Sequence, residues 1–157
     1  MIKQDYLMRM ILQFFEAMFK TWEKHKKDPL EAAKDIEDAI ATATELDAEA
    51  LLALAPDSIA QIMKVSHVDE TMVPFVGHSL LLEAVYLREA GRADLADLRE
   101  AQARAIAAEY GFDLPSDPSD FDALRDGIEA QFGCEVPLPD SLSEDAIDLD
   151  DFPWLKA

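Results

Sequence analysis

The sequence predicts an all-α protein built from antiparallel helical hairpins, and three observations support this fold class. The chain of 157 residues has only five Gly and is rich in Ala, Leu, Glu and Asp, a composition typical of helical proteins. Its apolar residues recur at helical spacing, with few segments that alternate as a strand would. The connections between periodic segments are short, so successive helices must fold back on each other.

The first helix is predicted from about Lys3 to His25, and its apolar surface is unusually wide. Its polar residues fall on one stripe at i, i+4, i+7 and i+11, namely Arg9, Gln13, Glu16 and Lys20. The rest of its circumference is apolar, which is more than one packing neighbour covers. Either other helices of the chain bury it, or a second copy covers one flank as a homodimer. The interrupting charges exclude a secretory signal and a membrane-spanning helix.

Six further helices are predicted. The second helix is predicted from Pro29 to about Thr44, with Asp28 as its N-cap. Gly91 and Gly111 are each expected to end a helix. The resulting domain covers residues 1–133, and its parts are hairpins at about 3–44, 47–66 and 72–110 and a last helix at 119–132.

Two of these helices carry specific packing predictions. The helix from about Met72 to Ala90 has little polar surface, so we expect it at the centre of the fold. The helix from Arg92 to Tyr110 alternates charged residues with an apolar face that is predicted to consist of Leu95, Leu98, Ala101, Ala105 and Ala108.

The segment 134–157 is predicted to be an irregular acidic tail. Six carboxylates lie between Asp140 and Asp151, among prolines and isolated large apolar residues. Such a pattern suits a segment that docks in an extended form. Docking on its own domain, recognition of a partner and disorder all stay open.

The predicted contact surface combines large apolar side chains of the first helix with two aromatic anchors of the tail. These residues are Phe14, Phe15, Met18, Phe19, Trp22, Phe152 and Trp154.

A weak internal repeat points to a family. Ala32, Ile36 and Ala39 have the spacing of small and large residues found in the second helix of a tetratricopeptide repeat. Together with "MIKQDYLMRMI", "LLALAPDSIAQIMKV" and "LLLEAVYLREAGRADLADLREAQARAIAAEYG", this spacing makes residues 1–110 resemble a bacterial family of small, all-helical, tetratricopeptide-like proteins that has no assigned activity. The resemblance implies a tetratricopeptide-like stacking of the hairpins and no catalytic residues.

The charge of the chain restricts its partners. There are 33 acidic residues against 14 basic ones, a formal net charge of −19. Such a surface repels phosphate backbones and anionic lipids, which disfavours nucleic-acid and membrane binding. The single cysteine, Cys134, fits a reducing cytoplasm.

The sequence contains none of the common catalytic or cofactor motifs. It lacks G-x-G-x-x-G, a P-loop, G-x-S-x-G, H-E-x-x-H and C-x-x-C. The leading hypothesis is therefore a non-catalytic interaction or scaffold protein without a cofactor. It would self-associate if a second copy covers one flank of the first helix. The alternative is a helical protein that binds a small molecule or a metal through the region of His67 and His78. A third hypothesis is a salt-adapted or stress-related protein whose strongly hydrated acidic surface, and not a binding site, is responsible for its function.

Overall fold

A computed structural model describes the backbone of residues 2–132 and the side chains of residues 6–130. This part of the chain is all-α, as predicted, and contains no strand. Its helices are α1 (Ile2–Lys24), α2 (Pro29–Thr44), α3 (Ala48–Leu52), α4 (Pro56–Val65), α5 (Val73–Glu89), α6 (Ala93–Tyr110) and α7 (Phe121–Phe132).

The helix ends follow from local chemistry. Asp28 precedes Pro29 and its Oδ1 accepts a hydrogen bond from the backbone N–H of Glu31 at 3.1 Å, which satisfies a free donor of the first turn of α2. Asp47 and Asp120 accept the same kind of bond at the starts of α3 and α7. Gly91 and Gly111 follow α5 and α6 with φ of 77° and 76°, the left-handed conformation that glycine adopts without a steric penalty.

Helix α5 is the centre of the fold, as its apolar sequence predicts. It packs against α6 on one side and α2 on another, and it also contacts α1. Almost every residue from Val73 to Leu87 is buried. A helix covered on this many sides needs neighbours that approach from several directions, and α1, α2 and α6 supply them.

The segment 47–66 differs from the predicted hairpin. The single-turn helix α3 packs against α2, whereas α4 packs along α6. A helix of five residues is too short to present a continuous face to the next one. The two helices of this segment therefore make their main contacts with different neighbours.

The buried face of α6 is rotated from the predicted one. The residues that α6 buries are Ala96, Arg99, Gln102, Ala103, Ile106 and Ala107. Of the predicted set, Leu95, Leu98, Ala101 and Ala105 are half-buried and Ala108 is exposed. The prediction failed because it assigned the charged and amide residues to solvent, whereas Arg99 and Gln102 form hydrogen bonds inside the fold.

Helix α7 joins the domain through its first residue. The ring of Phe121 lies 5.4 Å from Phe19 and 6.4 Å from Phe15, measured between centroids. The connection before α7 passes close to α5 at Gly77, where a Cβ atom would lie 3.1 Å from Cζ of Phe112. The missing side chain of Gly77 therefore lets this connection lie against α5.

Two helical glycines allow a matched test of this packing. A Cβ at Gly127 of α7 would meet nothing within 4 Å, so we expect Gly127→Ala to raise the free energy of unfolding by about 0.5–1 kcal/mol through helix propensity. Gly77→Ala should give no such gain, because Phe112 must move. Chemical denaturation measures both changes, and an equal gain in the two variants would contradict the close approach at Gly77.

Candidate functional site

Three of the predicted contact residues lie in the core of the chain itself. Phe14, Phe15 and Met18 are 2 %, 0 % and 0 % exposed. Side chains that their own domain covers to this extent offer a partner little surface, and of the three only Phe14 also borders a groove, described below. Burial within the chain accounts for Phe15 and Met18, which corrects the predicted contact surface at these two positions.

The other predicted contact residues of α1 are half-buried. Phe19 and Trp22 both pack against Phe121, and Trp22 also lies 4.2 Å from the ring of His25. The last turns of α1 are thus covered by the start of α7. The tail anchors Phe152 and Trp154 lie outside the described residues.

The two histidines of the alternative hypothesis occupy different environments. His67 is exposed, in a left-handed turn with φ of 59° after α4. His78 is buried in α5, and its Nε2 lies 2.8 Å from the backbone oxygen of Pro118. Among the side chains of residues 6–130, no group of three or more His, Cys, Asp or Glu is placed to hold a metal ion.

A groove of about 360 Å³ runs between α1 and α2. We call it the α1–α2 groove, and its lining residues are Met10, Gln13, Phe14, Ala17, Asp35, Asp38, Ala39, Thr42 and Ala43. Three alanines and two larger apolar side chains contribute to the lining, so a ligand could approach both helix backbones closely. Phe14, although almost wholly buried, contributes to this lining.

The charged groups that line the α1–α2 groove are all carboxylates. Asp35 and Asp38 lie one turn apart on α2. Asp35 pairs with Lys24, whereas no basic side chain of the described region pairs with Asp38. The groove therefore combines an apolar lining with negative charge.

Beneath these surfaces lies a buried cluster centred on Arg99. Its guanidinium donates from Nε to Glu83 Oε2 at 2.8 Å, from Nη1 to the carbonyl oxygen of Leu52 at 2.8 Å and from Nη2 to Glu37 Oε2 at 3.3 Å. Gln102 Nε2 donates to the carbonyl oxygens of Leu52 and Leu54 at 2.9 and 2.8 Å. One side chain of α6 thus connects α2, α3 and α5.

Glu83 is the carboxyl group with the most unusual environment. Burial, reinforced by the neighbouring Glu37 carboxyl, raises the pKa of Glu83 well above its usual range, and Arg99 only partly opposes this. Its Oε1 is buried and accepts no hydrogen bond from the described residues. Two carboxyls share one guanidinium here, so a proton held by Glu83 leaves Glu37 and Arg99 as a neutral pair.

A second polar cluster connects the end of α1 to α5. Thr21 Oγ1 donates to the carbonyl of Met18, so the hydroxyl of Tyr86 donates to Thr21 Oγ1 at 2.8 Å. Burial raises the pKa of Tyr86, which keeps its hydroxyl a donor. His25 stacks on Tyr86, and its Nδ1 lies 2.9 Å from Glu89 Oε2.

Sequence reasoning missed the Arg99 cluster, although a signal for it exists. Ala96, Ala103 and Ile106 lie on one stripe of α6, and Arg99 falls on the same stripe. A charged residue in an apolar stripe indicates a buried ion pair when a carboxylate on a facing helix, here Glu83, is available.

Arg99→Met should lower the free energy of unfolding by about 3–5 kcal/mol, because the carbonyl oxygen of Leu52, the side-chain oxygen of Gln102 and the two carboxyls lose a buried donor. The matched variant Arg104→Met, at an exposed position of the same helix, should change it by less than about 1 kcal/mol. Urea denaturation compares them. Equal effects would contradict the structural role of Arg99.

Glu83 should make the stability depend on pH. At pH values between the pKa of an unfolded glutamate and the raised pKa of Glu83, the native chain holds one more proton than the unfolded chain. The contribution of Glu83 to the free energy of unfolding therefore falls as pH rises. Glu83→Gln should remove this fall. The difference in free energy of unfolding between the variant and the wild type should therefore shift in favour of the variant as the pH rises. Glu49→Gln, at an exposed position, should leave the profile unchanged; denaturation at a series of pH values tests both.

Comparison with family models, curated proteins and solved structures gives no match for this chain. The resemblance to tetratricopeptide-like proteins, including the stacking it implies, therefore stays a prediction. None of the helices within residues 2–132 combines the length and the apolar sequence that a membrane span requires.

Proposed function

We propose that this chain is a non-catalytic interaction protein whose α1–α2 groove receives a basic, amphipathic segment of another protein. The observation that carries the proposal is the combination, in one groove, of an apolar lining with Asp35 and Asp38. An amphipathic helix that lies in a groove places its apolar side chains inside and its polar ones at the edges.

The small side chains of the lining support a peptide as the ligand. Ala17, Ala39 and Ala43 let a partner backbone approach α1 and α2, and Met10 supplies a flexible apolar contact. Large apolar side chains of the partner would bury the half-exposed part of these residues. The stabilisation comes from apolar area removed from water.

The carboxylates support a basic partner. Asp38 forms no ion pair with a described basic side chain, and the whole chain carries a net charge of −19. A positively charged segment would be drawn to such a surface, and an acidic one would be repelled. A second copy of the chain would bring the same excess of negative charge, which makes a basic heterologous partner the better fit.

The binding test uses two designed 18-residue helical peptides with the same leucine face, one with lysine and the other with glutamate on the polar face. We expect the lysine peptide to bind at least about tenfold more tightly in fluorescence anisotropy. Thr42→Trp fills the groove from an exposed position and should weaken this binding about tenfold, whereas Ser58→Trp on α4 should not.

Charge reversals separate groove binding from general attraction to an acidic protein. Asp38→Lys should weaken binding of the lysine peptide more than Glu70→Lys does. Glu70→Lys makes an equal change of net charge at an exposed position outside the groove lining. Equal losses in the two variants would contradict the proposed groove. Sedimentation of the wild type shows whether a homodimer occupies it instead; a dimer that Thr42→Trp dissociates would replace the heterologous partner.

A further inference from the structure

We propose that a second groove, between α5 and α7, binds a small amphiphilic cation, that is, an apolar molecule with an ammonium group. This α5–α7 groove has a volume of about 340 Å³. Its lining residues are Pro74, Phe75, His78, Asp113, Leu114, Pro115, Asp120, Ala123, Leu124, Gly127 and Ile128. None of them lines the α1–α2 groove, so the two proposed sites are independent of each other.

The walls of the α5–α7 groove are apolar and held in place by the fold. Phe75 and Ile128 are buried, and Leu114, Pro115 and Leu124 are half-buried. Because Gly77 has no side chain, the connection before α7 lies close to α5, and Leu114 of this connection lies beside Gly77. A preformed apolar groove of this volume lies within the range that small-molecule sites occupy, about 300–1,000 Å³.

The polar side chains of the groove are all hydrogen-bond acceptors toward a ligand. The carbonyl oxygen of Pro118 can only accept, so Nε2 of His78 donates to it at 2.8 Å. Burial lowers the pKa of His78, which keeps the ring neutral near pH 7 and leaves a lone pair on Nδ1. The other two polar side chains are the carboxylates of Asp113 and Asp120.

This set of groups selects the charge of the ligand. No lysine or arginine lines the groove, so an anionic ligand would find two carboxylates and no counter-charge. An ammonium group would pair with Asp113, while the apolar body lies against Phe75 and Leu124. Asp120 already accepts a hydrogen bond from the N–H of Ala123 at 3.0 Å, which makes Asp113 the carboxylate that is available to the ligand.

The same charge argument disfavours the acidic tail as the occupant. Between Asp140 and Asp151 the tail sequence carries six carboxylates and no basic residue. Bringing this segment to Asp113 and Asp120 would place like charges together. A small cation meets no such repulsion.

The test uses three probes of the same shape: 4-phenylbutylamine, 4-phenylbutanol and 4-phenylbutyrate. Titration calorimetry on the full chain at pH 7 should show the amine binding at least about tenfold more tightly than the alcohol, and the acid not binding. Equal affinities for the three probes, or no binding of the amine, would overturn the proposal.

Variants assign the binding to this groove. Asp113→Asn should weaken binding of the amine about tenfold, so that its affinity comes close to that of the alcohol. Asp126→Asn, on α7 outside the groove lining, should leave the affinity for the amine unchanged. Ala123→Phe, from an exposed lining position, should abolish binding of amine and alcohol alike, with exposed Ala108→Phe of α6 as its control. Unchanged amine binding in Asp113→Asn and Ala123→Phe would place the cation elsewhere and refute the site.

Discussion

The structure depends on the hydrogen bonds of one buried guanidinium. Arg99 connects α6 to α2 and α5 through Glu37 and Glu83, and to the end of α3 through the carbonyl oxygen of Leu52. The short helix α3 contributes only Leu51 and Leu52 to the core. Arg99 and Gln102 stabilise its end by donating to the carbonyl oxygens of Leu52 and Leu54, which would otherwise lack donors.

The same cluster explains why a strongly acidic chain can place carboxyls in its interior. Glu83 is fully buried, and the positive charge beside it is shared with Glu37. With a proton on Glu83, the cluster has no net charge and the cost of burial falls. Most of the other acidic residues among residues 6–130 lie on the surface, where two grooves combine some of them with apolar linings.

The sequence predicts most of the fold because its strongest signals are local. The N-cap Asp28, the helix-ending Gly91 and Gly111 and the nearly continuous apolar run of α5 each act within a few residues, and the structure confirms all three. The apolar circumference of α1 correctly indicated neighbours on several sides. The face of α6 could not be predicted in the same way, because burial of Arg99 requires Glu83 and Glu37, which are distant in sequence.

The candidate sites were less predictable for a related reason. Large apolar residues such as Phe15 were predicted as a contact surface, yet the size that suits them to an interface also suits them to the core. Both grooves are bordered by small or polar residues such as Ala39 and Asp113, which carry no signal until the helices are assembled. The sequence also drew attention to His78, whose hydrogen-bond partner in the structure is the backbone oxygen of Pro118.

The attachment of α7 has a consequence for how the domain opens. This helix is held mainly by Phe121 against the aromatic residues of α1 and by the buried Ile128, and none of its residues belongs to the Arg99 cluster. Its amide protons can therefore exchange with solvent through detachment of α7 alone, at a lower free energy than those of α5, which require global unfolding. Of the described helices, α7 is thus the one that is attached to the rest of the domain without extensive packing against any single other helix.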